Sequence, residues 1–474
     1  MLFNSLLFVV FFVTVLAILF FEGLISKSII LRNITLLAAS YIFYANFNIG
    51  FTLILLFVTS VNYIGGNLLF RNRNITRKKY IVAISAVLSL LPLCFFKYSV
   101  FLCRSLYAFL DYEINMELLE GLVLPVGISF FTFQALSYTI DIYRGKIEKP
   151  ASPLDFFLFV AFFPTLLSGP IEKAWNLLPQ LKKYSFPSLE NITQGICVFI
   201  WGLFKKIVVA DRLAYYVDWA YESAQYRSGI TLAVAACFYS IQIYCDFSGY
   251  SDMALGVAKA LGFDITKNFR QPYFSRTFKE FWRKWHIALT SWFTEYVYFS
   301  LGGSRVKHKL RWVFNISTIF LLSGIWHGAA WSFVIWGALH AVFYLTEHFL
   351  GLQSGKIRWN RISSLASGVS VFLFVTIAWI FFRLDFNHAI YVIERIFTAG
   401  GGFSMGASSF TFVSTLFMLV IFVVYEILVR KKIVWFDAVD FESRLVSNIF
   451  AVVPLLILIG MFGMAGAGFV YFQF

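Results

Sequence analysis

The sequence predicts an all-α polytopic membrane protein, and three observations carry that reading. Hydrophobic residues make up 59% of the 474, the mean hydropathy is +0.76, and 14% are charged, against about 25% in a soluble domain. The apolar residues gather into segments near the roughly 20-residue length that crosses a bilayer core. The basic residues, which set a formal net charge of +14, fall mostly in short runs between those segments: RNRNITRKK at 71–79, RGKIEK at 144–149 and RKK at 430–432. That is the positive-inside pattern. No zinc-finger, RNP-like or recognition-helix signal accompanies it, so nucleic acid is not an expected partner.

In chain order, candidate helical segments lie near 4–21, 34–47, 49–70, 80–96, 121–142, 154–171, 192–210, 229–248, 313–326, 329–346, 365–382, 410–429 and 449–471, about eleven to thirteen in all. The first, in MLFNSLLFVVFFVTVLAILFF, lacks a basic n-region and a small-residue cleavage site, so it reads as a retained span and not a cleaved signal. The loop at 22–33 carries Lys27 and Arg32, and 71–79 is strongly basic. The stretch 97–120 sets Asp111, Glu113, Glu117 and Glu120 against Lys97 and Arg104, and 144–149 is basic again. Alternation then puts the N-terminus outside. Lys356, Arg358, Arg361 and the run at 430 read inside, which brings the C-terminus outside too. Several segments are short for a full crossing and read as re-entrant or broken helices, tolerated where they are buried in protein or line a cavity.

The stretch NFRQPYFSRTFKEFWRKWHIALTSWFTEYVYFSLGGSR, 268–305, departs from this pattern. Phe278, Phe281, Trp282, Trp285, Leu289, Trp292, Phe293 and Tyr296 recur at helical spacing, with Lys279, Glu280, Arg283 and Lys284 between them. The charges forbid lipid on all sides. One helix lying at the interface or dipping into the protein is expected, with His286 late on it. The five cysteines, Cys94, Cys103, Cys197, Cys237 and Cys245, show neither CxxC nor metal-ligand spacing and read as small hydrophobes.

Candidate chemistry centres on histidine. His327, in LLSGIWHGAAWSFVIWGALHA (321–341), stands in a stretch with no Lys, Arg, Asp or Glu. It is either a packing histidine or an acid/base in a membrane tunnel, and intramembrane ionisable residues favour the second. Trp326 and Trp331 flank it, and Gly328 leaves room for backbone or substrate. His286 is either an interfacial histidine or a second polar group on the same cavity, orienting the reactants or holding transition-state charge. Asp246 and Asp252, in YCDFSGYSDM, are expected to cap a helix or pair with Lys or Arg of the neighbouring basic segment, or else to anchor the active-site scaffold; Arg283 and Arg305 could pair with them or meet a phosphate-bearing donor. His340 lies thirteen residues past His327, about 140° round a regular helix, and would share a cavity only if the helix breaks at Gly328. His308, His348 and His388 read as end or loop residues. No HExxH suggests a metal and no GxSxG suggests a serine nucleophile.

DFSGYSDMALG, the 268–305 stretch and GIWHGAAWSFVIWGALHA, with LSGPIEKAWNLLPQL (167–181) and the terminal VYFQF, resemble the membrane-bound O-acyltransferase superfamily. The nearest branch resembles bacterial alginate and peptidoglycan O-acetyltransferase membrane subunits. The resemblance runs through most of the chain. It implies a single transmembrane O-acyltransferase domain over 1–474, densest in 246–341 and followed by C-terminal helices in 365–474, with a ring of helices around a central funnel or tunnel. It implies that His327 is the catalytic histidine and His286 the second histidine of the bacterial polysaccharide branch. It further implies acetyl-coenzyme A as a donor substrate with no tightly bound cofactor, a bacterial inner membrane, and an SGNH-hydrolase-like extracytoplasmic partner that esterifies a polysaccharide or peptidoglycan. The helices beyond WHGAAW resemble the alginate-type branch, whereas D-alanyl transferases of teichoic acid are typically shorter and use a loaded carrier protein. A transporter or flippase would also suit interrupted spans, but no internal repeat is visible and His, Trp and Gly concentrate in one region.

Overall fold

The computed structural model describes residues 1–110, 121–185, 187–353, 360–430, 445–464 and 468–469. Asp111, Glu113, Glu117, Glu120, Lys356, Arg358, Lys431, Lys432 and the terminal VYFQF lie outside the described residues. Among the described residues, every regular element is helical. Seven of these helices are long and apolar enough to cross a membrane: Leu6–Ile25, Ile49–Arg71, Ile75–Tyr107, Leu189–Glu222, Gly229–Ala260, Arg361–Arg383 and Ser409–Leu428. The chain is therefore an all-α, multi-pass membrane protein. It packs as two compact units, one of 1–199 with 253–266 and one of 200–252 with 267–474.

The first unit begins α1 (Leu6–Ile25), α2 (Ile29–Ala45), α3 (Ile49–Arg71) and α4 (Ile75–Leu110). Ser5, Ser28 and Asn48 set the starts of the first three, each accepting a hydrogen bond from a first-turn N–H. Leu6, Val10 and Phe21 of α1 are exposed, as a lipid-facing surface requires. A buried polar seam ties α3 and α4 to α5 (Ile128–Tyr143): Asn62 Nδ2 donates to Ser89 Oγ at 2.7 Å, and Thr139 Oγ1 donates to Asn62 Oδ1 at 2.7 Å. Such bonds help join helices where lipid supplies no hydrophobic drive. The expected span at 154–171 is two helices, α6 (Pro153–Ala161) and α7 (Phe163–Leu166), with Pro164 in the first turn of the second; proline lacks the N–H a continuous helix would need there. The helices α8 (Ala174–Leu181) and α9 (Leu189–Phe204) follow. Arg32, expected as an inner-loop charge, is instead in α2 and 5% exposed, donating to the carbonyls of Leu181 and Lys183 at 2.7 Å each.

The second unit contains a π-helical segment (Lys205–Ala210), α10 (Asp211–Glu222) and the part of α11 (Gly229–Ala260) up to residue 252. Next come α12 (Phe278–Lys284), α13 (Ile287–Trp292), a second π-helical segment (Phe293–Tyr298), α14 (Lys309–His327) and α15 (Trp331–Phe349). The helices α16 (Arg361–Arg383), α17 (Phe386–Thr398), α18 (Ser409–Arg430) and α19 (Leu445–Phe462) complete it. Its core is aromatic, with Trp285, Trp336 and Trp379 fully buried. The single helix expected over 278–296 does not form: it breaks between Lys284 and Ile287, where Trp285 is extended and His286 left-handed. The break expected at Gly328 does occur.

The α14–α15 hairpin packs backbone against backbone. A Cβ on Gly324 would lie 2.2 Å from the Phe333 carbonyl oxygen, and one on Gly337 would lie 2.4 Å from that of Phe320. Neither oxygen can swing away as a side chain could. Gly324→Ala is expected to destabilise the protein by about 1–3 kcal/mol through overpacking. A melting temperature in detergent equal to the parent's would contradict this.

Candidate active site

Both histidines singled out from the sequence lie in the second unit, and the fold brings them together. His327 is the last residue of α14, where Gly328 turns the backbone extended. A Cβ on Gly328 would sit 2.0 Å from the Phe333 ring, so a side chain there would have to displace that ring. His327 is 4% exposed, with ring centroids of Trp326, Trp336 and Phe382 at 4.9, 5.1 and 5.2 Å. His286, 41 residues upstream, presents its ring 6.3 Å from that of His327 and 6.0 Å from that of Trp326. The two imidazoles thus share one aromatic enclosure, whose apolar walls strengthen any electrostatic interaction inside it.

His286 stands between α12 and α13 with φ 43° and ψ 54°, a left-handed backbone that a side chain other than glycine rarely adopts. The Phe247 ring of α11 meets its imidazole edge-on at 4.7 Å. α12 itself is firmly started. Thr277 Oγ1 accepts the Glu280 N–H at 3.0 Å, and Glu347 of α15 accepts the N–H groups of Phe278 and Lys279 at 2.7 and 3.2 Å. A carboxylate at a helix N-terminus is favourable both as acceptor and as charge. Burial works to raise the Glu280 carboxyl, but the Arg276 N–H and the Lys284 ammonium outweigh it and hold the group below the usual carboxylate range.

A cavity of about 490 Å³ runs along α14. It touches Trp312, Phe320 and Ser323 of that helix, so it extends roughly 16 Å at 1.5 Å per residue. Ser323 is one turn before His327, and Thr290, also on the wall, is one turn after His286. Lys279 and Arg283 supply its positive charge, and His348, expected as an end residue, joins its wall. Leu289, Phe293, Ile316 and Phe320 make much of its wall apolar, and neither His286 nor His327 is among its lining residues.

The remaining sequence candidates separate. Asp246 and Asp252 are buried and paired, but not to Arg283 or Arg305. Asp246 meets Lys206 at 2.6 Å and Asp252 meets Lys205 at 2.6 Å; Lys206 also holds Asp211 at 2.8 Å, and Lys205 donates to Ser248 at 2.9 Å. Arg283 is a cavity residue, and Arg305 is exposed, in the segment whose Ser304 touches the cavity. Trp326 is within the histidine enclosure, whereas Trp331 is 59% exposed at the start of α15. His340 is fully buried against Trp336 and Trp282, at 4.8 and 4.9 Å, and packs behind the cavity wall that Trp282 helps form. Sequence reasoning missed Lys205 and Lys206. Two consecutive lysines inside the apolar segment 192–210 were the available signal, because such charges persist in a membrane only when paired.

Comparison with known proteins identifies the family of the chain. The model of the membrane-bound O-acyltransferase family, MBOAT, matches residues 78–387. A probable alginate O-acetylase, AlgI, of Pseudomonas putida is 36% identical over 377 residues, covering 79% of this chain and 75% of that protein. A peptidoglycan O-acetyltransferase of Helicobacter pylori is 33% identical over 384 residues, covering 76% and 72%. A teichoic acid D-alanyltransferase of Bacillus subtilis is 27% identical over 347 residues, covering 69% and 83%. The family match takes in α12 to α15, with both histidines and the residues that line the cavity. The chain belongs to the membrane-bound O-acyltransferase family and is an O-acyltransferase embedded in the membrane.

Proposed function

We propose that this protein takes an acetyl group from acetyl-coenzyme A on the cytoplasmic side of a bacterial inner membrane and passes it outward. The acceptor is an SGNH-hydrolase-like extracytoplasmic partner, which esterifies a polysaccharide of the alginate type or peptidoglycan. The observation that carries the reading is the His327–His286 pair, with ring centroids 6.3 Å apart, each one helical turn in sequence from a residue (Ser323, Thr290) of a cavity wall that also carries Lys279 and Arg283. The relatives named as alginate O-acetylase and peptidoglycan O-acetyltransferase support the acetyl group and the class of polymer. Family membership weighs against the transporter reading. The basic runs at 71–79 and 144–149 support loops facing the cytoplasm and both termini facing outward.

In this mechanism the pantetheine arm enters the cavity and its phosphates meet Lys279 and Arg283. The acceptor hydroxyl attacks the thioester carbonyl while His327 takes its proton. His286 donates to the oxyanion or orients the hydroxyl. Collapse breaks the C–S bond, leaves the acyl group on the acceptor oxygen, and returns the proton from His327 to the departing thiolate.

The test supplies labelled acetyl-coenzyme A to the cytoplasmic face of vesicles holding purified protein and partner. Label is expected on the far side. Transfer that instead requires an acylated carrier protein would overturn the coenzyme A donor and favour the route suggested by D-alanyltransferase likeness.

A further inference from the structure

We propose that Asn268 is the positioning residue that holds His286 toward His327. The proposal rests on the reading of His286 as part of the active site. A left-handed histidine persists only where its surroundings over-determine the backbone. The main-chain oxygen of Asn268 accepts the Ile287 N–H at 2.9 Å. Its side-chain Oδ1 accepts the Ala288 N–H at 3.1 Å, and its Nδ2 donates to Ser251 Oγ of α11 at 3.3 Å. One residue, itself 1% exposed, thus satisfies the first two N–H groups of α13, which no intrahelical carbonyl can reach.

A second brace lies beside it: the Arg270 N–H donates to the Lys284 carbonyl at 3.0 Å. Residues 268–270 therefore run alongside 284–288 and clamp the break between α12 and α13. Without the clamp the local sequence favours helix, since apolar spacing continues from Phe278 to Tyr296. Closing the break would rotate the His286 Cα–Cβ bond away from its present direction. The far anchor is rigid: Ser251 stands on α11 between Asp246 and Asp252, both held by buried lysines, and Phe247 of that helix touches the imidazole. The amide side chain is suited to this position because it offers an acceptor to Ala288 and a donor to Ser251 at once.

A double-mutant cycle on transfer rate tests this. His286→Ala should slow transfer strongly. Asn268→Ala should lower kcat by at least about tenfold through misorientation, with the donor KM within about twofold. In the His286→Ala background, Asn268→Ala should cost less than about twofold more, because residues acting as one unit are not additive. Ser251→Ala, a milder cut at the far anchor, should show a smaller loss with the same non-additivity, and it serves if Asn268→Ala folds poorly. Equal losses from either change in both backgrounds, or full activity of both Asn268→Ala and Ser251→Ala, would overturn the positioning role. Full activity of His286→Ala would instead overturn the reading of His286, and the role of Asn268 with it.

Discussion

His327→Ala is expected to stop acyl transfer to within the background of the assay while leaving the protein folded. General-base help from a positioned histidine is worth about 10²–10⁴-fold, or roughly 3–5 kcal/mol of barrier. The side chain ends α14 next to a glycine, and its ring contacts include Trp326, Trp336, Phe382 and His286. Removing it opens a small void in a unit that keeps its aromatic core. Abundance in the membrane and melting temperature should therefore move far less than the rate. Label crossing at the parental rate in the vesicle assay would sink the assignment of His327. A loss of rate matched by a loss of folded protein would reduce His327 to a packing residue.

Lys206→Met is expected to do the reverse and remove the fold before the chemistry can be measured. The ammonium is 1% exposed and bridges Asp246 and Asp211 at 2.6 and 2.8 Å. Cutting one partner from a buried ion pair costs about 3–5 kcal/mol, because a carboxylate is left in low dielectric without its cation. That is a large share of the roughly 5–15 kcal/mol that holds a domain folded. Adding Asp246→Asn and Asp211→Asn to Lys206→Met removes the stranded charges and should recover much of the loss. Recovery is read as detergent-stable, monodisperse protein and a melting temperature that climbs back. A single variant that melts with the parent would show that the network does not brace this unit.

Most of the helical segments were legible in the sequence, and both histidines stood out in it as candidates, for physical reasons. Span-length apolar runs carry a strong signal because lipid offers no hydrogen bonds to the backbone, so they must be helical. An imidazole in a charge-free stretch is conspicuous because it is costly there. The partners of Asp246 and Asp252 were not legible. Arg283 and Arg305 were as plausible by charge as Lys205 and Lys206, and the choice depends on which helices pack together. The break at His286 was concealed by the helical spacing of the aromatics around it. Local pattern continues through the residue, and the bonds from Asn268 that interrupt it come from a segment 18 residues away.

Local composition, spacing and motif therefore suffice for the class of the fold, its membrane setting and its family resemblance, and they single out the two histidines as candidates. They do not say that His286 turns toward His327, that His340 stays behind the cavity wall, or that two lysines hold the aspartates; the folded chain settled each of these. Those outcomes depend on distances between residues far apart in the chain, and such distances follow from packing, which no local pattern encodes.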